Sequence, residues 1–237
     1  MRLQVFLSHN GVCSRRAAMG LILSGRVKVN GLVVKEPSTA VEGLEEITVD
    51  GNRVGEKAYT YVMLYKPAGY TTTKDDPHAE KTVMDLLPGH LQHLSPVGRL
   101  DRDSEGLLLL TNDGDVAFRL THPKFHADKM YLVKIKGELT KQKQQKLESG
   151  VLLEGTLTAP CCIKDILYNG TDTAFKITLH EGRKRQVRMM AKAVGHHVHY
   201  LCRLSIGKLQ LGDLRLGQWR LLNNKELTGL GVKAPLC

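Results

Sequence analysis

Cysteine is scarce and unpatterned in this chain of 237 residues: Cys13, Cys161, Cys162, Cys202 and Cys237 are odd in number and form no C-x-x-C pair. That excludes a disulfide framework, argues against a structural zinc and fits a reducing cytoplasm. No apolar run of about 18 residues occurs, so no membrane span is expected. The opening Met1-Arg2-Leu3-Gln4 leads into no uninterrupted apolar stretch, and no secretory signal is expected. The chain also lacks a P-loop, a G-x-G-x-x-G and an H-E-x-x-H, which leaves no signature for nucleotide binding or a zinc protease. Asp101-x-Asp103-x-Glu105-Gly106 imitates the start of a calcium loop, but the closing bidentate Glu is replaced by Asn112. His196, His197 and His199 with Cys202 match no standard zinc spacing. Asn169-Gly170-Thr171 fits a glycosylation sequon but reads here as a turn. Neither a metal nor a cofactor is expected.

What the chain does have is apolar content and positive charge. Hydrophobic residues make up 42%, enough for a real core in one or two domains. Lys and Arg number 34 against 24 Asp and Glu, a net +10. The excess is zoned. Residues 1–35 carry six basic residues and no acidic one, residues 36–60 two against six, residues 61–179 balance at 15 each, and residues 180–237 carry 11 against three. Two separated basic zones suit contact with one long polyanion, a nucleic acid above all. A solvated surface uses the same residues.

The first zone reads as a small module. Leu3, Phe6 and Leu7 recur at helical spacing, and Asn10-Gly11 stops that segment. Ser14 is placed to cap a second helix, Arg15 to Leu23, with Ala18, Leu21 and Ile22 as its apolar face. Val27 and Val29 alternate with Arg26 and Lys28, Asn30-Gly31 is a two-residue hairpin signal, and Leu32 to Val34 returns. Ile47 to Val49 closes the set as a short strand. The acidic stretch Glu36 to Glu56 is expected to face away or to serve as a linker.

Beyond residue 57 strands outnumber helices. Strands are predicted at Tyr59–Tyr65, Leu107–Thr111, Tyr131–Ile135, Cys161–Tyr168 and Ala174–Leu179. Helices are predicted at Thr82–Leu87, Asp115–Leu120, Thr140–Leu147 and Arg183–Val194. Strands that often follow one another directly predict an α+β fold with a largely antiparallel mixed sheet flanked by helices. The expected division is 1–56 and 57–237.

Two segments concentrate chemistry. Gly98-Arg99-Leu100-Asp101-Arg102-Asp103-Ser104-Glu105-Gly106-Leu107 packs three carboxylates and two guanidiniums before an apolar strand. Glu181-Gly182-Arg183-Lys184-Arg185-Gln186-Val187-Arg188 opens a helix whose Val187, Met190, Ala191 and Val194 form a buried face. Lys184, Arg188 and Lys192 are then expected as a basic stripe able to hold phosphates or orient a carboxylate. On residue types alone, a salt-bridged turn and a solvated helix face account for the same residues.

The motifs themselves resemble known families. V-F-L-S-H-N-G-V-C-S-R-R-A-A followed by L-I-L-S-G-R-V-K-V-N-G resembles the αL-type RNA-binding module, shared with a small-subunit ribosomal protein and some tRNA synthetases. G-R-L-D-R-D-S-E-G-L and L-H-E-G-R-K-R-Q-V-R resemble the RNA pseudouridine synthases of the RsuA/RluB type. Lys66-Pro67-Ala68-Gly69 and Lys129-Met130-Tyr131-Leu132-Val133 look like that family's first and tyrosine motifs. The chain departs from the pattern at Tyr65, where Asn often precedes Lys-Pro, and at Met189, where a second Arg often follows Arg188.

The resemblance implies isomerisation of uridine to pseudouridine in ribosomal RNA, with no cofactor or energy source. It implies Asp101 as nucleophile, Arg188 as its ion-pair partner, Arg99 as the residue associated with base extrusion, and Tyr131 as the stacking platform for the flipped base. It assigns RNA contact to Arg15, Arg16, Arg26 and Lys28 in the module, and to Lys66, Arg183, Lys184 and Arg185 in the synthase domain. Arg185 before Gln186 looks more like the large-subunit enzymes than the small-subunit ones. The expected partner is ribosomal RNA or a pre-ribosomal particle, met by a cytoplasmic monomer with no membrane association. Competing readings are a small-subunit target, a non-catalytic assembly factor, and a glycosidase using Asp103 or Glu105 as second carboxylate.

Overall fold

A computed structural model describes residues 1–55 and 58–232. The chain divides into two compact units: Met1–Thr60 with Asn112–Gly114, and Tyr61–Thr111 with the chain from Asp115 onward.

In the first unit, helix α1 (Leu3–His9) and helix α2 (Arg15–Leu23) bury Leu3, Phe6, Leu7, Ala18 and Ile22 against Val27, Val41 and Ile47. Ser14 keeps an extended backbone, and its Oγ accepts from the Ala17 N–H at 3.2 Å, the N-cap its position predicts. Strands β1 (Val27–Val29) and β2 (Leu32–Val33) are joined by Asn30 at φ 49° and Gly31 at φ 80°. Positive φ at both turn residues is what a type I′ hairpin needs to match strand twist. Strands β3 (Ile47–Val49) and β4 (Asn52–Arg53) complete a sheet of order β2–β1–β3–β4. The acidic stretch is therefore not a linker, because pairing of β3 with β1 draws it into the module. Asp50 there accepts from Arg26 Nε at 2.8 Å. Glu56 lies outside the described residues.

The second unit begins with strands β5 (Tyr61–Lys66), β6 (Ser95–Pro96) and β7 (Glu105–Thr111), followed by helix α3 (Gly114–Thr121). Strand β8 (Lys129–Lys136), helix α4 (Lys141–Ser149) and the ribbon β9 (Leu152–Leu153) with β10 (Thr156–Leu157) come next. Strands β11 (Cys162–Tyr168) and β12 (Asp172–Leu179) precede helix α5 (Gln186–Ala193). Strands β13 (Val198–Ile206), β14 (Leu209–Gln210) and β15 (Trp219–Leu221) and helix α6 (Asn224–Gly229) end the described chain. Among the described residues the main sheet runs β11–β12–β8–β13–β7–β5–β15, with β14 on β13 and β6 on β7. This is the expected α+β class. Its pairs are antiparallel except β13 with β7, which is parallel.

Burial follows from this order. Leu107 to Leu110 on β7 are all 0% exposed, because both faces of the strand are covered. One side packs Met63, Leu107, Leu109 and Ile206, and the other packs Leu64, Leu108 and Leu110 against Met84 and Leu94. Helix α5 lays Val187, Met190 and Ala191 on Val133, Ile177 and Leu201.

Two features depart from expectation. Strand β13 is not among the predicted strands, although Val198, Tyr200, Cys202, Leu204 and Ile206 alternate there with His199, Arg203 and Ser205; its place between β8 and β7 buries it. Helix α5 starts at Gln186, not Arg183. Arg185 takes left-handed φ 53° and ψ 29° at the N-cap, so Lys184 lies before the helix and shares no helical stripe with Arg188 and Lys192. The Gln186 side chain closes this bend. Its Oε1 accepts from the Arg183 N–H at 3.0 Å, and its Nε2 donates to Glu181 Oε1 at 2.6 Å.

Candidate active site

The loop between β6 and β7 carries Arg99, Asp101 and Asp103, and it is built around a buried cation. Lys66, the last residue of β5, is 0% exposed. Its Nζ donates to the carbonyls of Ser104 at 2.7 Å, Asp101 at 3.0 Å and Pro67 at 3.1 Å. Burial pushes its ammonium down to about 8, against the pull of the Asp103, Asp101 and Glu105 carboxylates. Thr72 Oγ1 donates to the Leu100 carbonyl at 2.7 Å and accepts from its N–H at 3.2 Å. The backbone on both sides of Asp101 is thus tethered. Lys66 is not available to RNA: the requirement that loop carbonyls find a donor has drawn it into the interior.

Asp103 is held from the side. Arg185 donates to its two carboxylate oxygens at 3.2 and 3.0 Å. Burial raises the Asp103 carboxyl, but the Arg185 hydrogen bond and the charges of Arg188 and Arg185 outweigh it and hold the group below the usual range. Arg188 places Nε 3.4 Å from Asp103, and donates to the Asp103 carbonyl at 2.9 Å, Ser104 Oγ at 3.3 Å and the Val198 carbonyl at 2.9 Å. The expected pairing of Arg188 with Asp101 is therefore replaced by pairing with Asp103. The first turn of α5 points its guanidinium at the far end of the loop. The cation beside Asp101 is Arg185, at 3.9 Å.

The Asp101 side chain is 32% exposed and opens onto a cleft of about 660 Å³. Arg99, Tyr131, Arg183, Lys184 and Arg185 line the same cleft, together with Lys129 and Arg203. Arg183 is partly engaged, donating to the carbonyls of Leu157 at 2.7 Å and Thr156 at 3.2 Å. Arg99, Lys184 and Arg185 are exposed. An ionisable carboxylate on a tethered loop, an aromatic face and a rim of cations can seat a flipped nucleotide and attack it. The left-handed turn at Arg185 is what frees three consecutive cations from the helix to form that rim.

In the first unit Arg15, Arg16 and Lys28 are exposed, and Arg26 is exposed but paired with Asp50. Two of the histidines near β13 have protein partners: His196 Nδ1 lies 2.9 Å from the Lys136 carbonyl and its Nε2 3.1 Å from Lys143 Nζ, and His199 Nε2 lies 3.6 Å from Asp172. The buried cleft residue that sequence reasoning missed is Arg203. Its signal was only the alternation of β13, hidden by the polar residues around it.

Comparison with known proteins gives a consistent result. Residues 60–193 match the family RNA pseudouridylate synthase, and residues 1–47 match the S4 domain. The chain is 43% identical to ribosomal large subunit pseudouridine synthase B of Bacillus subtilis (strain 168), over 98% of this chain and 96% of that protein. It is 41% identical to an RNA pseudouridine synthase of Aquifex aeolicus (strain VF5), over 97% of this chain and 93% of that one. A crystal structure of a pseudouridylate synthase superposes with a TM-score of 0.70 at 32% identity, covering 97% of this chain and 99% of that chain.

Proposed function

Because the chain belongs to the RNA pseudouridylate synthase family and is an enzyme of that kind, we propose that it isomerises a uridine of large-subunit ribosomal RNA, with Asp101 as its nucleophile. The observation that carries this reading is the tethered loop that presents the Asp101 carboxylate to a cleft shared with Tyr131 and Arg185. The large-subunit assignment is supported by the Bacillus relative, whose name states that target.

The residues supply each requirement of the reaction. The target nucleotide is extruded from its helix, and Arg99, which lines the cleft, fills the vacancy. Tyr131 offers a face on which the uracil stacks. The Asp101 carboxylate, 3.9 Å from Arg185, attacks either the anomeric carbon or the ring. The N1–C1′ bond breaks, the ring turns, C5 bonds to C1′, and the bond that Asp101 formed breaks again to return its carboxylate. C5 loses a proton and N1 gains one, so no cofactor enters the balance. Arg15, Arg16, Arg26 and Lys28 of the S4 domain bind RNA phosphates outside the reacting nucleotide.

The test is release of tritium from ribosomal RNA transcripts labelled at uracil C5, without added metal or nucleotide. Wild type is expected to release label from large-subunit RNA, whereas Asp101→Asn releases none and binds the RNA with affinity within about threefold of wild type. Turnover near the wild-type rate by Asp101→Asn would refute the nucleophile. Release from small-subunit RNA alone would overturn the target, and release of free uracil would make the protein a glycosidase.

A further inference from the structure

Arg203 has no place in the chemistry above, and its setting is unusual. It is 2% exposed on the central strand β13. Its Nε donates to the Leu107 carbonyl at 2.8 Å, while Nη2 is buried without a hydrogen-bond partner. Among the described residues no carboxylate pairs with it. A buried guanidinium left unpaired is unfavourable, and a fold keeps one where a ligand completes it.

Sheet register says what that ligand meets. Arg203 stands directly opposite Tyr131 on β8, so the two side chains share a face as cross-strand neighbours. Lys129, two residues before Tyr131, is on that face too, opposite Ile206. All three line the cleft. Burial and then the charge of Arg203 disfavour the ammonium of Lys129, against the pull of Asp128, so the two cations lie close enough to feel each other. Gly106, the neighbour of Arg203 on the other side, contributes no side chain to this row.

We propose that Arg203, with Lys129 beside it, is a catalytic residue that stabilises the negative charge on the uracil ring while it is detached from ribose. The inference rests on the cleft isomerising uridine. When N1–C1′ breaks, its electron pair stays on the ring and spreads onto the carbonyl oxygens. When C5 bonds to C1′ and the C5 proton leaves, N1 takes up a proton and the ring is neutral again. The ring is anionic only in between, and fixed donors aimed at charge that develops in mid-reaction favour the transition state over bound substrate. Stacked on Tyr131, the ring presents its carbonyl edge to the guanidinium one strand away.

The experiment compares wild type, Arg203→Met and Arg203→Lys in single turnover on ribosomal RNA carrying uridine or 5-fluorouridine at the target, read by nuclease digestion and chromatography as loss of the N-linked nucleoside, because fluorine at C5 cannot leave as the proton does and the rejoined ring keeps it. Fluorine withdraws electrons from the ring and lessens the help it needs on departure. Arg203→Met is expected to slow uridine conversion about 100-fold with KM within about threefold, and to slow 5-fluorouridine conversion about tenfold less. Arg203→Lys is expected to restore about tenfold of the loss on uridine. Equal slowing of both substrates, or a rate near wild type, overturns the proposal. Should Arg203→Met melt well below wild type, Lys129→Gln, which leaves the Leu107 bond intact, is read by the same two criteria. Wild type inert on uridine RNA would overturn the parent reading, whereas an active wild type with substrate-independent slowing overturns this one alone.

Discussion

Lys66, buried at the end of β5, donates to the carbonyls of Asp101 and Ser104 in the loop and to that of Pro67 beside it. Lys66→Met leaves those acceptors buried without a partner and is expected to destabilise the protein by about 3 kcal/mol, measured by urea unfolding. Its pH dependence follows from linkage. The unfolded chain keeps this proton to about 10.5 and the folded chain only to about 8, so the unfolded state binds more protons between those values. Wild-type stability therefore gains from this group as pH rises from about 8, and the gap to Lys66→Met widens between pH 8 and 9.5. Tyr65, pushed up to about 12 by burial, acts in the opposite sense above its ordinary value of 10.0, but equally in both proteins. A constant gap across that range would contradict the assignment.

Among the elements, the parallel pairing of β13 with β7 governs the site. Gly106 opposes Arg203 at φ 118°, and a Cβ there would lie 2.3 Å from the Arg203 backbone nitrogen. The glycine of the G-R-L-D-R-D-S-E-G-L motif is thus required by close backbone approach, not by the chemistry of its neighbours. Gly106→Ala is expected to cost at least about 3 kcal/mol by forcing the strands apart or the backbone into strain. Tritium release should fall with it, because the strand shift moves both the Asp101 loop and Arg203. A variant with wild-type melting temperature would show that β7 and β13 part without penalty. Helix α5 teaches a related lesson. Its apolar face was legible from Val187, Met190 and Ala191, but its first residue was not. The left-handed Arg185 is stabilised by contacts with Asp103, 82 positions away in the chain.

For the whole molecule, the zoned charge leads to a test that needs no knowledge of the target uridine. Arg15 and Arg16 are exposed on a helix of the S4 domain, outside the catalytic unit. In the full chain, Arg15→Glu with Arg16→Glu is expected to weaken binding of ribosomal RNA and to reduce the slope of log K against log salt by about one to two. Bound RNA should still be converted with kcat near wild type. An unchanged salt slope would mean that this surface meets no phosphates.

Features that depend on neighbours along the chain can be read from the residues alone. The Ser14 cap, the Asn30-Gly31 hairpin, the buried run Leu107–Leu110 and the basic ends follow from local backbone preference and periodicity, and the motifs carried the family resemblance. Which charges meet depends on how the sheet is assembled. That assembly buried Lys66, turned Arg188 to Asp103, set Arg185 beside Asp101 and placed Arg203 across from Tyr131. Each of these depends on strands β5, β7, β8 and β13 lying side by side in a non-sequential order. Pairing energy there is earned between residues far apart in sequence, and no local pattern records it.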